Sequence, residues 1–125
     1  MFLYKDIRQY HLDLLSNKIN CADTIQFYLQ QIDTNKKLNA FTEVFTSGAL
    51  EKARQLDEKR KNGEPLKKLH GVVIVIKDVL CYKDHAVTAS SKILEGFKSL
   101  YTATALPPDE PPGTLVLSNA FKTGP

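Results

Sequence analysis

Apolar and aromatic residues recur at helical spacing in three separate stretches before the chain reaches its one long apolar run. Ile7, Tyr10, His11 and Leu14 repeat at the spacing of one helix face, and Asn17 follows where such a helix should stop. This predicts a short first helix. Ile25, Tyr28, Leu29 and Ile32 make a cleaner stripe, with Asp23, Gln26, Gln30 and Gln31 on the remaining faces and Asn20 placed to cap the start. A second amphipathic helix, ending near Asn35, is expected. The segment LNAFTEVF, residues 38–45, is rich in β-branched and aromatic side chains and reads as a short strand. A third helix should begin near Ser47, turn Ala49, Leu50, Ala53 and Leu56 inward, and stop at Gly63, a residue suited to the left-handed position after a helix. The opposite face, with Glu51, Lys52, Arg54, Glu58, Lys59, Arg60 and Lys61, reads as a solvated surface.

The long run is LHGVVIVIKDVLCYKDHAVTASSKIL, residues 69–94, in which Val72 to Ile76 lead directly into Lys77 and Asp78. Pro65 and Gly71 bracket the approach. Five consecutive β-branched residues are too few for a helix and suit a strand covered on both faces, the kind that sits centrally in a sheet packed by helices. Lys77 then has two readings. Its stem can lie along apolar neighbours with the ammonium in water. Alternatively it points into a closed pocket at the strand end, where burial disfavours its charge and makes it a base. Strand ends of α/β sheets are where such pockets form.

Composition narrows the function classes. With 42% hydrophobic and 25% charged residues in 125 positions, the chain has the makeup of one globular domain. A net charge of +3 is spread along the chain and interleaved with acids, which argues against a dedicated nucleic-acid surface. Cys21 and Cys81 form no CxxC pair, so neither a zinc site nor a disulfide framework is suggested and a reducing cytoplasm fits. The first residues, MFLYKDIRQYHLDLL, lack the features of a signal peptide. No stretch approaches the roughly 20 apolar residues that span a bilayer.

HGVVIVIKDVL, then VTASSKILEGF and YTATA, resemble the amidase signature family, which carries an apolar strand ending in Lys-Asp followed by a T-x-x-S-K-like segment. The resemblance covers about residues 4–105. It implies an α/β fold, here the N-terminal helices and first strands of a mixed sheet covered by helices, truncated. Residues 1–105 would be the N-terminal portion of that domain and 106–125 a divergent, proline-rich tail. By this resemblance Lys77 is the base of a Ser–cis-Ser–Lys triad, kept neutral by buried surroundings, with Asp78 and Ser91 in supporting places. A bridging serine would pass the proton of a nucleophilic serine to Lys77. The nucleophile would attack the amide carbon of glutamine, ammonia would leave, and water would hydrolyse the acyl-enzyme. The resemblance is strongest to the branch that feeds this ammonia to tRNA-dependent amidation. It implies amidotransferase B and C subunits as partners, tRNA contacted indirectly through the complex, and ATP and Mg used on the partner's side. It implies no cofactor or metal in this chain, and no membrane.

The departures are as informative. The family's two serines lie in a glycine- and serine-rich loop well downstream of the lysine, whereas 125 − 77 = 48 residues follow Lys77 here and contain no Gly-Gly pair. No nucleophile is therefore assigned, and the chain by itself is expected to be inactive. Ser90 and Ser91 lack the flanking glycines that would let them substitute. Five of the six prolines fall after Ala105, in a segment with no match to the family, which is expected not to pack against the rest. Val73 stands where the family prefers proline. Asp84 and His85 occupy a turn where glycine and an apolar residue are usual. His11 is expected on a helix surface, His70 at a strand edge, and Cys81 as a small buried hydrophobe. Two other readings stay open: a non-catalytic module that binds a partner through its helices, and an amidase acting on another small amide. An apolar strand without its full sheet also predicts aggregation or a molten state for the isolated chain.

Overall fold

The computed structural model describes residues 5–106, and the strand path of 114–120. Three helices precede the Lys-Asp strand: α1 (Ile7–Leu15), α2 (Cys21–Thr34) and α3 (Thr46–Lys61). Strand β1 (Phe41–Val44) lies between α2 and α3, and β2 (Val72–Lys77) follows α3. Strand β3 (Thr114–Ala120) lies between the other two, in the order β1-β3-β2. It runs antiparallel to β1 and parallel to β2, so the sheet is mixed.

Local chemistry sets the helix ends. The Asp6 carboxylate accepts from Gln9 N at the start of α1, and the Asn20 side chain accepts from Asp23 N at the start of α2. At the end of α3, Gly63 (φ +82°) donates to the Arg60 carbonyl while Glu64 donates to that of Lys59, each at 3.1 Å. These two bonds form a Schellman closure, which needs the left-handed glycine that the sequence supplies.

The main core lies between the helices and one sheet face. Tyr10, Leu14, Cys21, Ile25, Ala49, Ala53, Leu56 and Val72 are buried there, with Tyr28, Leu29, Ile32 and Leu50 packed at its margin. Ile7, expected on the inner face of α1, is instead exposed, because Tyr10 and Leu14 alone cover the contact. Phe45, Ile76 and Leu106 form a smaller cluster, and Ile74 packs against both.

Two expectations about the sheet are corrected. β2 is not central among the described residues: it pairs with β3 alone, and Val75 is 47% exposed. The segment expected not to pack supplies the middle strand, with Val72 opposite Thr114 and Lys77 opposite Ala120. A strand flanked by turn-forming residues can pair wherever open backbone donors and acceptors are offered, irrespective of the proline content before it. The prolines of that segment lie outside the described residues.

Two histidines also depart from expectation. His70 is buried, and the His11 ring, half-buried on α1, bonds through Nε2 to the His70 carbonyl at 3.0 Å. Burial pushes the His70 imidazole below its ordinary value of 6.5, and the nearby His11 and Arg60 charges add to this against Asp57 and a bond to the Leu56 backbone. The unfolded chain therefore binds a proton more readily than the folded one. Stability is expected to be full above about pH 6.5 and to fall as pH drops through the lower folded value. Urea unfolding at pH 7.5 and pH 5 measures this, and His70→Gln should flatten the acid limb.

Candidate active site

Strand β2 carries Lys77 to the point where the chain turns. The Lys77 carbonyl accepts from Leu80 N at 2.9 Å, closing a turn through Asp78 and Val79. Alternation along the strand puts Val73, Val75 and Lys77 on one face and Ile74, Ile76 and Asp78 on the other. The two consecutive residues therefore have opposite fates: Asp78 is buried, whereas Lys77, expected in buried surroundings, is exposed because alternation turns it to the uncovered face.

Asp78 organises the segment that follows. Its carboxylate accepts from Thr88 N at 2.9 Å and from the Thr88 hydroxyl, and its carbonyl accepts from Ala89 N at 2.9 Å. Two carboxylate oxygens and one carbonyl thus hold a loop ten positions away against the end of β2. The clamp retains an unusual backbone. Ala89 (φ +46°) and Ser90 (φ +60°) are consecutive non-glycine residues in the left-handed region, each costing on the order of 1 kcal/mol. Ser90 N donates to the Thr88 hydroxyl at 3.2 Å and Ser91 N to the Thr88 carbonyl at 2.8 Å. Ser91 then leads into a 3-10 turn, Lys92–Leu94.

The structure therefore brings Lys77, Asp78 and the Ser90–Ser91 loop to one end of the sheet. It gives Ser90 and Ser91 no oxyanion cradle, since the N–H groups of Ala89, Ser90 and Ser91 are all donated within the clamp. Thr88 is the residue that sequence reasoning missed. It sits inside the segment quoted for the resemblance, but its link to Asp78 could be read only from a tertiary contact.

The turn at 83–85 is a second feature near the sheet. Asp84 has φ +66°, a conformation that glycine takes freely and aspartate tolerates. His85 is half-buried, stacked on Tyr82 at 4.7 Å between ring centroids and against Phe45 at 3.8 Å. Glu43 lies 3.5 Å from its Nδ1 and accepts from Ala86 N at 3.2 Å. In a mutually packed trio of rings with Phe45 and Tyr82, His85 ties the loop to β1 through Glu43. Cys81, expected to be buried, is instead half-buried at the strand end. Among the described residues no group of three or more His, Cys, Asp or Glu side chains is gathered to hold a metal ion, and no helix is long and apolar enough to cross a membrane.

Comparison with known proteins gives this arrangement a class. A family model described as Amidase matches residues 23–106, which include β2, the Asp78 clamp and the loop it holds. The chain belongs to the amidase family, with the α/β architecture of the amidase signature enzymes. Its curated relatives include the A subunit of the glutamyl-tRNA(Gln) amidotransferase of Chlorobaculum parvum, 45% identical over 103 residues, which are 82% of this chain and 21% of that protein. The corresponding protein of Brachyspira hyodysenteriae is 43% identical over 94 residues, covering 72% of this chain and 19% of that protein. The chain thus spans about a fifth of the length of these relatives. Among solved structures, the peptide amidase of Stenotrophomonas maltophilia superposes with a TM-score of 0.79 at 24% identity, over 93% of this chain and 24% of that one. An amidase family protein of Bacillus anthracis superposes with a TM-score of 0.82 at 23% identity, over 94% and 24%.

Proposed function

We propose that this chain supplies the base, Lys77, of a glutamine-hydrolysing amidase site in the A subunit of a tRNA-dependent amidotransferase. The observation that carries this reading is Lys77 at the end of β2, directly followed by the buried Asp78 that clamps the Thr88–Ser91 loop, in a chain resembling proteins of that name. Asp78 and Ser91 act as positioning residues. The nucleophilic and bridging serines come from sequence outside this chain, in the part of the relatives that it does not span. Lys77 takes the nucleophile's proton through the bridging serine as the serine oxygen bonds to the glutamine amide carbon. Ammonia departs with a proton, and water cleaves the acyl ester to give glutamate. The ammonia passes to the B subunit, where ATP and Mg activate the carboxyl group borne on tRNA, in a complex that also holds a C subunit. A cytoplasmic setting and a family unit spanning residues 1–105 accompany this reading.

The alternative of a partner-binding module would present the α2 stripe to a partner. Ile25 is buried and Tyr28, Leu29 and Ile32 pack inward here, so that stripe serves the chain's own core. The test is ammonia release from glutamine by this chain combined with a polypeptide carrying the rest of the amidase domain. Lys77→Ala should lower the rate by about 100- to 10,000-fold, the usual contribution of a positioned acid–base group. Release that persists undiminished in Lys77→Ala would remove Lys77 from the mechanism.

A further inference from the structure

Two consecutive residues of α1 are fastened to two consecutive carbonyls at the entrance to β2. The Tyr10 hydroxyl donates to the Gly71 carbonyl at 2.9 Å, and His11 Nε2 donates to the His70 carbonyl at 3.0 Å. At the other end of the helix Arg60 Nη1 donates to the Leu14 carbonyl. A helix of nine residues does not hold itself in water, so α1 stays folded only while these bonds and the burial of Tyr10 and Leu14 keep it docked. His70 stands inside this joint. The residue is 5% exposed, and its Nε2 is enclosed without a hydrogen-bond partner among the described residues, as is Arg60 Nε. The charged groups that act on it are His11 on α1 and Asp57 and Arg60 on α3. Tyr10 and the Cys21 thiol of α2, which close around the neighbouring Gly71, bring no charge in the neutral and acid range.

A proton added to His70 is therefore poorly received. Asp57 is already committed: its oxygens accept from Cys21 N and Ala22 N, and Arg60 lies 3.6 Å away. The new charge shares the joint with those of Arg60 and His11. We infer that the joint is an acid-sensitive catch: protonation of His70 releases α1 from β2 and α3, and the release uncovers Cys21 while the rest of the fold stays assembled. The remaining elements hold together without α1. Asp57 ties α3 to the start of α2, Ile25, Ala53 and Leu56 are buried in one cluster, and the strands pair with one another. Residues 16–20 join α1 to α2, and Asn17 within them has φ +56°. Cys21 is fully buried beside Tyr10, whose hydroxyl lies 4.0 Å from its sulfur, and loses that cover when α1 leaves. Burial holds His70 below its ordinary 6.5, so release is driven below about pH 6.5 and reversed above it. The acid loss of stability thus begins at one helix. The catch shares no residue with the proposed site.

The test follows Cys21 in the 125-residue chain carrying Cys81→Ser, with 4,4′-dithiodipyridine, a disulfide that reacts with thiols in mild acid. Each rate is divided by that of the urea-unfolded chain at the same pH, which removes the reagent's own pH dependence. Between pH 7.5 and pH 5 the corrected rate should rise about tenfold, the order that one buried imidazole can drive. Hydrogen exchange should show protection lost in α1 and kept in α2 and α3. His70→Gln, whose amide gains no charge, should remove the rise. His11→Gln, which can still donate to the His70 carbonyl, should lessen it. A rise undiminished in His70→Gln, no rise at all, or a rise accompanied by lost protection across α2 and α3 overturns the inference. A corrected rate at pH 7.5 already equal to that of the unfolded chain overturns it as well. Where circular dichroism shows that His70→Gln does not fold at pH 7.5, His11→Gln decides: a rise as steep as in the unsubstituted chain overturns the catch, and a shallower one upholds it.

Discussion

Gly71→Ala should destabilise the chain by about 2–4 kcal/mol, read as a lower urea midpoint at unchanged slope. Two physical costs add at this position. Gly71 has φ +69°, which an alanine resists. A Cβ there would also lie 2.6 Å from Cys21 Sγ and 2.8 Å from the Tyr10 hydroxyl. Neither neighbour can easily retreat. Tyr10 is fully buried and donates to the Gly71 carbonyl at 2.9 Å, with Thr24 Oγ1 at 3.4 Å, while Cys21 occupies the first turn of α2. The two costs are separable. Adding Cys21→Ala to Gly71→Ala removes the sulfur and should recover part of the steric share, leaving the conformational share untouched. Strict additivity of the two substitutions would show that the sulfur contact contributes nothing.

Asp57→Ala should cost about 3–5 kcal/mol, the range for stranding one member of a buried ion pair. The Asp57 carboxylate accepts from Cys21 N at 2.9 Å and Ala22 N at 3.0 Å, satisfying two donors at the start of α2 from a residue on α3. Arg60 lies 3.6 Å away through Nη2, and its Nη1 donates at 2.6 Å both to the Leu14 carbonyl and to Asn17. One acid and one guanidinium thereby join all three helices. Asp57→Asn keeps an acceptor for one of the two amides and should lose clearly less. Equal losses for the two substitutions would mean that the charge alone accounts for the effect. The same network governs Cys21, whose thiol is pushed up to about 12 by burial and by the Asp57 charge. Cys21 should therefore resist thiol reagents at pH 8 until the chain unfolds, and Asp57→Ala should expose it.

The contrast between these residues and Lys77 shows what can be read along a chain. Lys77 and Asp78 stand out because they end an unbroken apolar strand in a pattern that an amidase shares. Asp57 lies on a charged helix and looks in sequence like any solvated acid; its partners are 35 and 36 positions away. His70 reads as a strand-edge residue because nothing local marks the α1 and α3 contacts that bury it. Thr88 is the same case, with its role set by an aspartate on the far side of a turn.

By itself the sequence determined the three helices, the Asn20 cap, the Gly63 stop, the β2 strand and the amidase resemblance. These follow from interactions between residues a few positions apart, or from a contiguous motif. The tertiary structure decided which strand lies in the middle, which face of β2 stays open, and which acids are buried. Those outcomes depend on pairing and burial between segments distant in the chain. No local pattern encodes where a strand edge finds its partner or which carboxylate meets a helix end.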